Sequence, residues 1–314
     1  MVERRAFEPA YLSRYETGEL EQRVQTAFEH LRDCDLCAQG CGVDRTREKG
    51  KCDTGVLARV ASYGPHFGEE DPLRGYQGSG TIFFSWCNLS CQYCQNYDIS
   101  QQGHGRDVET EELAEMMLSL QRRGCHNINL VSPSHVVAQI LAAVLVGVEA
   151  GLRLPLVWNT GGYDSLVSLG LLDGIVDIYM PDMKYADSRV ALRYSRVKHY
   201  AEMNQAAVKE MHLQVGDLLL DARGIAERGL LVRHLVLPDG LAGTGAVAAF
   251  LAEELSTETY INIMDQYRPC YKASDLPPLD RRVTRREYLR AVEAAQEAGL
   301  HRFDQREARV FRAL

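Results

Sequence analysis

Three closely spaced cysteines are the residues of this sequence best suited to metal chemistry. Cys87, Cys91 and Cys94 follow the pattern C-x3-C-x2-C and come directly after the stretch 80–86, which is rich in aromatic and β-branched residues. Such a stretch predicts a buried strand, so the three thiols share one loop at a strand end. Iron–sulfur clusters are normally held by four thiolates, so three thiolates indicate a [4Fe–4S] cluster in which one iron has no protein ligand. Such an open coordination position is typical of a metal that performs chemistry. A structural zinc loop or a chance trio of buried thiols is the alternative.

Four further cysteines form a second group earlier in the sequence. Cys34, Cys37, Cys41 and Cys52 are spaced C-x2-C-x3-C-x10-C and supply four soft ligands, enough for a zinc site or a second iron–sulfur cluster. Ligand type alone does not decide between these metals, and a reduced, metal-free thiol group is the remaining alternative. An iron–sulfur cluster here would relay electrons, whereas zinc would only hold this small segment together.

The cysteine loop carries a resemblance to a known family. C-x3-C-x-aromatic-C, with Tyr93 in the aromatic position, resembles the cluster loop of the radical S-adenosylmethionine (SAM) superfamily. In that family the open iron chelates the amino and carboxylate groups of SAM. One electron then cleaves a C–S bond, which yields methionine and a 5′-deoxyadenosyl radical that abstracts hydrogen from a substrate. The resemblance implies a [4Fe–4S] cluster and SAM as cofactors, and an electron donor such as flavodoxin or ferredoxin as a partner.

Composition narrows the class of protein. The 314 residues are 46% apolar, which is normal for a globular chain with a full core, and no run of about 18 apolar residues predicts a membrane span. Residues 1–7 include basic side chains but no apolar region follows, so we expect no secretory signal. Seven of the nine cysteines fall in the two groups, which favours metal ligands in a reducing, cytoplasmic compartment over disulfides. The net charge of −8 does not support general nucleic-acid binding.

The order of apolar and helical stretches predicts the fold. Six apolar stretches, at 80–86, 128–131, 154–159, 175–180, 230–237 and 259–264, alternate with helical patterns, and this alternation indicates a parallel α/β sheet. It matches the radical SAM partial (β/α)6 TIM-type barrel that the resemblance implies. We expect three parts: residues 1–59 as an N-terminal helix plus cysteine-rich metal knuckle, 60–275 as the core domain, and 276–314 as a C-terminal helical extension. The Gly/Pro-rich stretch 60–79 is predicted to be a solvated linker, or alternatively a lid carrying His66 and Glu69.

Function in such sheets gathers beyond the carboxyl ends of the strands. There the resemblance to glycyl-radical-enzyme activases implies a SAM cradle built from main-chain groups near Asn159 and Thr160, with Asp182, Lys184 and Arg233. In the activases the lysine of Asp-x-Lys meets the SAM carboxylate and the aspartate helps to bind a monovalent cation; a surface ion pair is the alternative. Arg233 stands in an apolar run, where its burial is costly unless an anion such as the SAM carboxylate meets it.

One strand-end segment departs from the family pattern, and two cysteines belong to neither cysteine group. Ser132-Pro133-Ser134-His135 stands where relatives carry a Gly-Gly-Glu-type segment, so the anchor of the SAM amino group is open. His135 either contributes to that anchor or begins a helix with Ser134 as its N-cap. Cys125 and Cys270 are predicted to be buried, inert thiols rather than a fourth cluster ligand.

These patterns lead to a hypothesis about function, although they single out no catalytic side chain. From about residue 60 to 270 the chain resembles proteins of the pyruvate formate-lyase activating enzyme-like branch. We therefore expect a radical SAM enzyme, with activation of a glycyl radical enzyme as the specific hypothesis and that enzyme, or another protein substrate, as its partner. The alternatives are radical modification of RNA or a metabolite, and a non-catalytic iron–sulfur or zinc protein.

Overall fold

The computed structural model of the protein describes residues 7–304, and its central feature is a largely parallel sheet. The strands are β1 (Ala58–His66), β2 (Ser79–Phe84), β3 (Arg106–Val108), β4 (Ile128–Val131), β5 (Leu156–Thr160), β6 (Ile178–Pro181), β7 (Leu219–Leu220), β8 (Ala226–Leu235), β9 (Tyr260–Met264) and β10 (Arg302–Phe303). The sheet order is β10-β9-β8-β6-β5-β4-β2-β1-β3, with β7 paired to β8. β2, β4, β5, β6, β8 and β9 pair in parallel, so all six predicted strands and the α/β class are confirmed.

Helices follow most of these strands and cover the sheet. They are α1 (Ala10–Glu16), α2 (Glu19–Glu29), α3 (Asp71–Arg74), α4 (Tyr97–Ser100), α5 (Thr110–Arg122), α6 (Val137–Glu149), α7 (Leu166–Leu172), α8 (Ser188–Ser195), α9 (Tyr200–Val215), α10 (Thr244–Glu254) and α11 (Arg285–Glu297). Short 3-10 turns occupy His30–Asp33, Pro238–Gly240 and Ala273–Asp275. Within residues 7–304, none of these helices has the length and apolar character needed to cross a bilayer.

The two N-terminal helices are fixed to the outside of the sheet. Tyr11 on α1 is fully buried and its hydroxyl donates to the carbonyl of Leu154 at 2.9 Å. The amide of Ala10 donates to a carboxylate oxygen of Asp177 at 2.9 Å. α2 buries Leu20 in the main core and packs against α6. These contacts position the cysteine-rich segment, which follows α2 directly.

The stretch 60–79 is not a solvated linker. Residues from Ala58 to His66 form β1, which is antiparallel to β2. Pro65 does not prevent this, because it lies beyond the part of β1 that pairs with β3 and its missing N–H is tolerated at that edge. Glu69, expected on a lid or linker, is buried instead. Leu73 on α3 is fully buried against β5, β6 and β8, in a hydrophobic cluster that is separate from the main core. Sequence periodicity missed this segment because its burial depends on distant strands rather than on its own pattern.

The same segment shows that the sheet is curved. Asn262 on β9 donates to Glu70 at 2.8 Å, and the amide of Asp71 donates to Asp304, which follows β10, at 3.2 Å. β1 and β9 lie near opposite ends of the strand order, so these contacts require a sheet that bends into an open barrel. α3 therefore fills the floor of this barrel.

The three-part division of the chain remains a prediction. β1 begins at Ala58 and so crosses the boundary placed at residue 60. Within residues 276–304, α11 buries Ala291 and Ala295 in the main core, and β10 pairs in parallel with β9. This part contributes to the sheet as well as to its helical layer.

Candidate functional site

The carboxyl ends of five parallel strands surround one cavity of about 170 Å³. Its wall includes all eight residues that the sequence assigned to the cluster loop and the SAM cradle: Cys87, Cys91, Cys94, Asn159, Thr160, Asp182, Lys184 and Arg233. Residues separated by almost 150 positions are thus gathered because parallel strands end at one edge of a sheet. The individual roles of these residues stay predictions.

The cysteine loop begins with a sharp change of direction. Trp86, the first residue past the end of β2 to leave the extended conformation, has a φ of +67°, a left-handed conformation that is uncommon for a large side chain. Its amide is held by the carbonyl of Ile99 at 2.9 Å. Behind the turn, the amide of Leu89 donates to the sulfur of Cys87 at 3.4 Å. A backbone donor directed at a sulfur is a typical support for a metal-bound thiolate.

Burial affects the pKa of two of the loop thiols, Cys87 and Cys91. Burial raises the pKa of Cys87 to about 12, helped by the neighbouring Cys91. Burial also raises the pKa of Cys91 to about 11, while the nearby ammonium of Lys184 opposes the shift. A metal must therefore displace thiol protons when it binds.

A pair of charged side chains lines the same cavity as the thiols. Lys184 forms an ion pair with Asp182, and their side chains keep only 18% and 21% of their exposure. A surface ion pair, the alternative interpretation, therefore does not describe them. Burial alone would lower the pKa of Lys184, but the carboxylate of Asp182 and the thiol of Cys91 reverse this, so that the pKa is raised. Burial works against the ionised Asp182, but Lys184 and Arg233 keep its pKa below the ordinary value.

Arg233 meets carboxylates of the protein itself. Its Nε lies 3.5 Å from Glu70 Oε1 and 3.6 Å from Asp182 Oδ1. Burial would lower the pKa of Arg233, but Glu70 and Asp182 raise it, so the guanidinium is firmly charged. The anion that the buried guanidinium requires is thus supplied by the protein, and a contact of Arg233 with the SAM carboxylate stays a prediction. Sequence reasoning missed Glu70 because this residue lies in the stretch expected to be a linker.

The segment Ser132-Pro133-Ser134-His135, which departs from the family pattern, lies partly in the wall of the cavity and partly outside it. Ser132 has a φ of +57° and lines the cavity, with its amide bonded to the carbonyl of Asn159 at 2.9 Å. His135 is buried away from this cavity, with Nε2 3.0 Å from the carbonyl of Ser85. Ser134 pairs with the hydroxyl of Thr160 at 2.8 Å and does not cap α6. The interpretation of His135 as a helix start with Ser134 as N-cap is therefore wrong, whereas a role of His135 in anchoring the SAM amino group stays a prediction.

The turn after β5 is built on hydrogen bonds and on one glycine. The hydroxyl of Thr160 donates to Asp164 at 2.6 Å and accepts from the amide of Gly162 at 3.1 Å. Gly162 has a φ of +73°, and a Cβ there would come within 2.2 Å of the carbonyl oxygen of Asp182. The glycine thus makes room for the end of β6.

Gly162→Ala is expected to lower the free energy of unfolding by at least about 3 kcal/mol, since it combines left-handed strain with a backbone clash. Gly18→Ala is the matched control: Gly18 has a φ of +75° and open space around its Cβ position, so its loss should be only about 1 kcal/mol. Urea denaturation measures both. Equal losses for the two variants would contradict the proposed close approach to Asp182.

A buried hydrogen-bond chain supports the cluster loop from behind. Ser195 at the end of α8 is fully buried, and its hydroxyl donates to the sulfur of Cys91 at 3.0 Å. The hydroxyl of Tyr185 lies 2.8 Å from Ser195 and 2.7 Å from Tyr93, the aromatic residue of the motif. Nothing in the sequence around Ser195 signals this contact, because α8 and the loop are far apart in the chain.

Ser195→Ala is expected to lower the midpoint potential of a cluster bound at Cys91. A hydrogen bond to sulfur favours the more negatively charged, reduced state, so its loss should shift the potential by up to roughly 60 mV. Ser188→Ala, on the same helix but bonded to Glu202, is the control that should leave the potential unchanged. Redox titration followed by electron paramagnetic resonance measures the shift, and an unchanged potential in Ser195→Ala would contradict it.

The other cysteine group lines a second, smaller cavity. Cys34, Cys37, Cys41 and Cys52 surround it together with Arg45. Across residues 7–304, no three His, Cys, Asp or Glu side chains form a ready-made site for a single metal ion. Of the isolated thiols, Cys125 is buried as expected, whereas Cys270 is only partly buried.

The first cavity fits the groups that the resemblance implies. Three soft sulfur donors in its wall suit iron, and the same cavity offers charged and polar side chains to a ligand with amino and carboxylate groups. Within the described part of the chain, Asp182 Oδ1 is buried and accepts no hydrogen bond. Cys87, Cys91 and Cys94 would hold the cluster, and Asp182 and Lys184 would lie beside the ligand.

This chain is similar to known proteins over part or most of its length. The family model described as the radical SAM superfamily matches residues 81–212. Uncharacterized protein MJ0674 of Methanocaldococcus jannaschii is 31% identical over 291 residues, which cover 90% of this chain and 79% of that protein. A radical SAM methyltransferase from Sphaerobacter thermophilus aligns with a TM-score of 0.47 at 14% identity, over 71% of this chain and 66% of its own.

HydG, a maturase of the [FeFe]-hydrogenase, aligns with a TM-score of 0.47 at 12% identity, over 68% of this chain and 47% of its own. This chain therefore spans about two thirds of the methyltransferase and less than half of HydG. The family model covers the cysteine loop and the strand ends of β4, β5 and β6, and the archaeal relative extends the match over most of the sequence. The chain belongs to the radical SAM superfamily.

Proposed function

We propose that this protein reductively cleaves SAM and uses the resulting 5′-deoxyadenosyl radical to abstract hydrogen from a substrate. The observation that carries the proposal is the single cavity that joins Cys87, Cys91 and Cys94 to the ion pair of Asp182 and Lys184. The three thiolates would hold a [4Fe–4S] cluster, which would supply the electron for cleavage. The chain's contribution is to position the cofactors and to exclude water.

The charges around the cavity suit a zwitterionic ligand. Lys184 presents an ammonium to an incoming carboxylate, and Asp182 presents a carboxylate to an incoming amino group or cation. Arg233 is already balanced by Glu70, so it helps to hold Asp182 in place rather than serving as the principal anion receptor. Apolar side chains such as Leu89 and Ile99 also line the wall and limit the entry of water at that part of the cavity.

Anaerobic reconstitution tests this function directly. The protein is supplied with iron, sulfide, SAM and dithionite, and 5′-deoxyadenosine and methionine are quantified by chromatography. Formation of both in equal amounts, and only with dithionite, is the expected result. Absence of both products together with absence of SAM binding would point to the non-catalytic iron–sulfur or zinc protein instead.

The finer proposal is that the radical activates a glycyl radical enzyme. It is supported by the activase-like spacing of the cysteine loop and by the Asp182-x-Lys184 segment at the end of β6. Mixing the reconstituted protein with pyruvate formate-lyase should then produce a glycyl radical signal in electron paramagnetic resonance. Cleavage of SAM without any such signal would favour radical modification of another substrate, such as RNA or a metabolite. We expect a flavodoxin or ferredoxin as the physiological electron donor.

A further inference from the structure

A buried cation lines the same cavity as the second cysteine group. Arg45 keeps only 2% of its exposure, and its Nη1 lies 3.7 Å from the sulfur of Cys34. The other hydrogen bonds of its guanidinium go to the carbonyls of Thr54, Gly55 and His135, at 3.1, 2.8 and 2.8 Å. All of these partners are neutral if the cysteines are thiols.

A buried guanidinium without an anion is costly. Among residues 7–304, no carboxylate lies within ion-pair distance of Arg45, in contrast to Arg233 with its two carboxylates. Four thiolates around a metal would supply the missing negative charge. We propose that Cys34, Cys37, Cys41 and Cys52 bind a fully ligated [4Fe–4S] cluster, which exchanges electrons with the cluster loop at Cys87.

Contacts between the two cysteine groups favour an electron-carrying cluster over zinc. The carbonyl of Tyr163 accepts from the amide of Ala38 at 3.3 Å and from the side chain of Asn88 at 2.6 Å. Ala38 follows Cys37 and Asn88 follows Cys87, so one carbonyl links residues adjacent to a ligand of each group.

Another hydrogen bond connects the same two loops. The side chain of Gln39 donates to the carbonyl of Asn88 at 2.8 Å, and Ala38 packs in the same apolar cluster as Cys87 and Cys94. A zinc ion that only stabilised its own segment would not require this direct contact with the cluster loop. A redox centre benefits from it, because electrons then cross only a short, packed path.

The electron balance involves one electron in each transfer. The second cluster gives up one electron and is oxidised by one unit, and the centre at Cys87 gains that electron and is reduced by one unit. An external one-electron reductant, dithionite in the assay, restores the second cluster. This transfer rests on the proposed function, whereas cluster binding by the four cysteines does not.

The decisive experiment isolates the second group. In the triple variant Cys87→Ala, Cys91→Ala, Cys94→Ala, anaerobic reconstitution should leave about four iron and four sulfide per chain, against about eight of each in the wild type. The reduced triple variant should show the spectrum of a [4Fe–4S] cluster that does not respond to SAM. Zinc in place of iron, or a variant without metal, would overturn the inference. If the triple variant does not fold, the iron content of the wild type decides: about four per chain rejects a second cluster.

Substitution of Arg45 tests its electrostatic role through the midpoint potential of the second cluster, which a purely structural role of Arg45 would leave unchanged. Arg45→Gln in the triple variant removes a buried positive charge beside Cys34, so the midpoint potential should fall, whereas Arg45→Lys should retain most of it. Identical potentials in the three proteins would contradict the role of Arg45. If the second cluster is absent but the wild type still cleaves SAM, only this inference fails. If the cluster is present but SAM is not cleaved, only the proposed function fails.

Discussion

Cys91→Ala is expected to reduce SAM cleavage to the background of the protein-free mixture. Ser195 donates to the sulfur of Cys91, and Lys184 lies near this thiol. Two remaining thiolates hold a site-differentiated cluster poorly, because three protein ligands are needed to leave one iron open. The measurement is 5′-deoxyadenosine formed per hour after anaerobic reconstitution with dithionite.

Cys270→Ala is the matched control for this variant. Cys270 is a free thiol outside both cavities, so its loss should leave the rate of SAM cleavage within about twofold of the wild type. Iron analysis of the two variants separates a lost cluster from a lost fold, and circular dichroism confirms that both are folded. A Cys91→Ala variant that cleaves SAM at the wild-type rate would contradict the assignment of the loop cysteines as ligands of the cluster.

Arg233→Met is expected to lower the free energy of unfolding by roughly 3–5 kcal/mol. The substitution keeps an apolar stem of similar length but leaves the carboxylates of Glu70 and Asp182 without the guanidinium that lies about 3.5 Å from each. Asp182 keeps its ion pair with Lys184, so the larger cost falls on Glu70, and removing one partner of a buried ion pair is among the most destabilising changes in a protein interior. Urea denaturation of the apo protein under reducing conditions measures the loss without any contribution from bound cofactors.

The double variant Arg233→Met, Glu70→Gln tests whether charge is the cause. It removes a positive and a negative charge together, so its loss of stability should be smaller than the sum of the two single losses by at least about 1 kcal/mol. Arg189→Met is the surface control: its side chain is 91% exposed in its ion pair with Asp187, and its loss should stay within about 0.5 kcal/mol. Strict additivity in the double variant would contradict the pairing of Arg233 with Glu70.

The features predicted correctly from the sequence are those encoded locally. Six apolar stretches became the six parallel strands, and because parallel strands end at one edge, the residues that follow them were placed around one cavity. Cysteine spacing also placed Cys34, Cys37, Cys41 and Cys52 around one cavity, because short loops bring their own ends together. In both cases the information lies within a few residues of the side chain concerned.

The features that were missed depend on contacts between distant parts of the chain. Glu70 is buried by Arg233 and Asn262, and Ser195 reaches Cys91 from a helix about a hundred positions away. Pro65 made β1 look like a loop, yet an edge strand tolerates it. Neither periodicity nor spacing contains the partners of these residues, so only the folded chain identifies them.

The floor of the barrel has a consequence for how the molecule is made. The hydrogen bond between Glu70 and Asn262 joins residues 192 positions apart, and that between Asp71 and Asp304 joins residues 233 positions apart. During synthesis, the segment that carries α3 emerges before β9 and β10, so it cannot form these hydrogen bonds until those strands have been made. Contacts of such long sequence separation slow folding and lengthen the exposure of unfinished strand edges to chaperones and to aggregation.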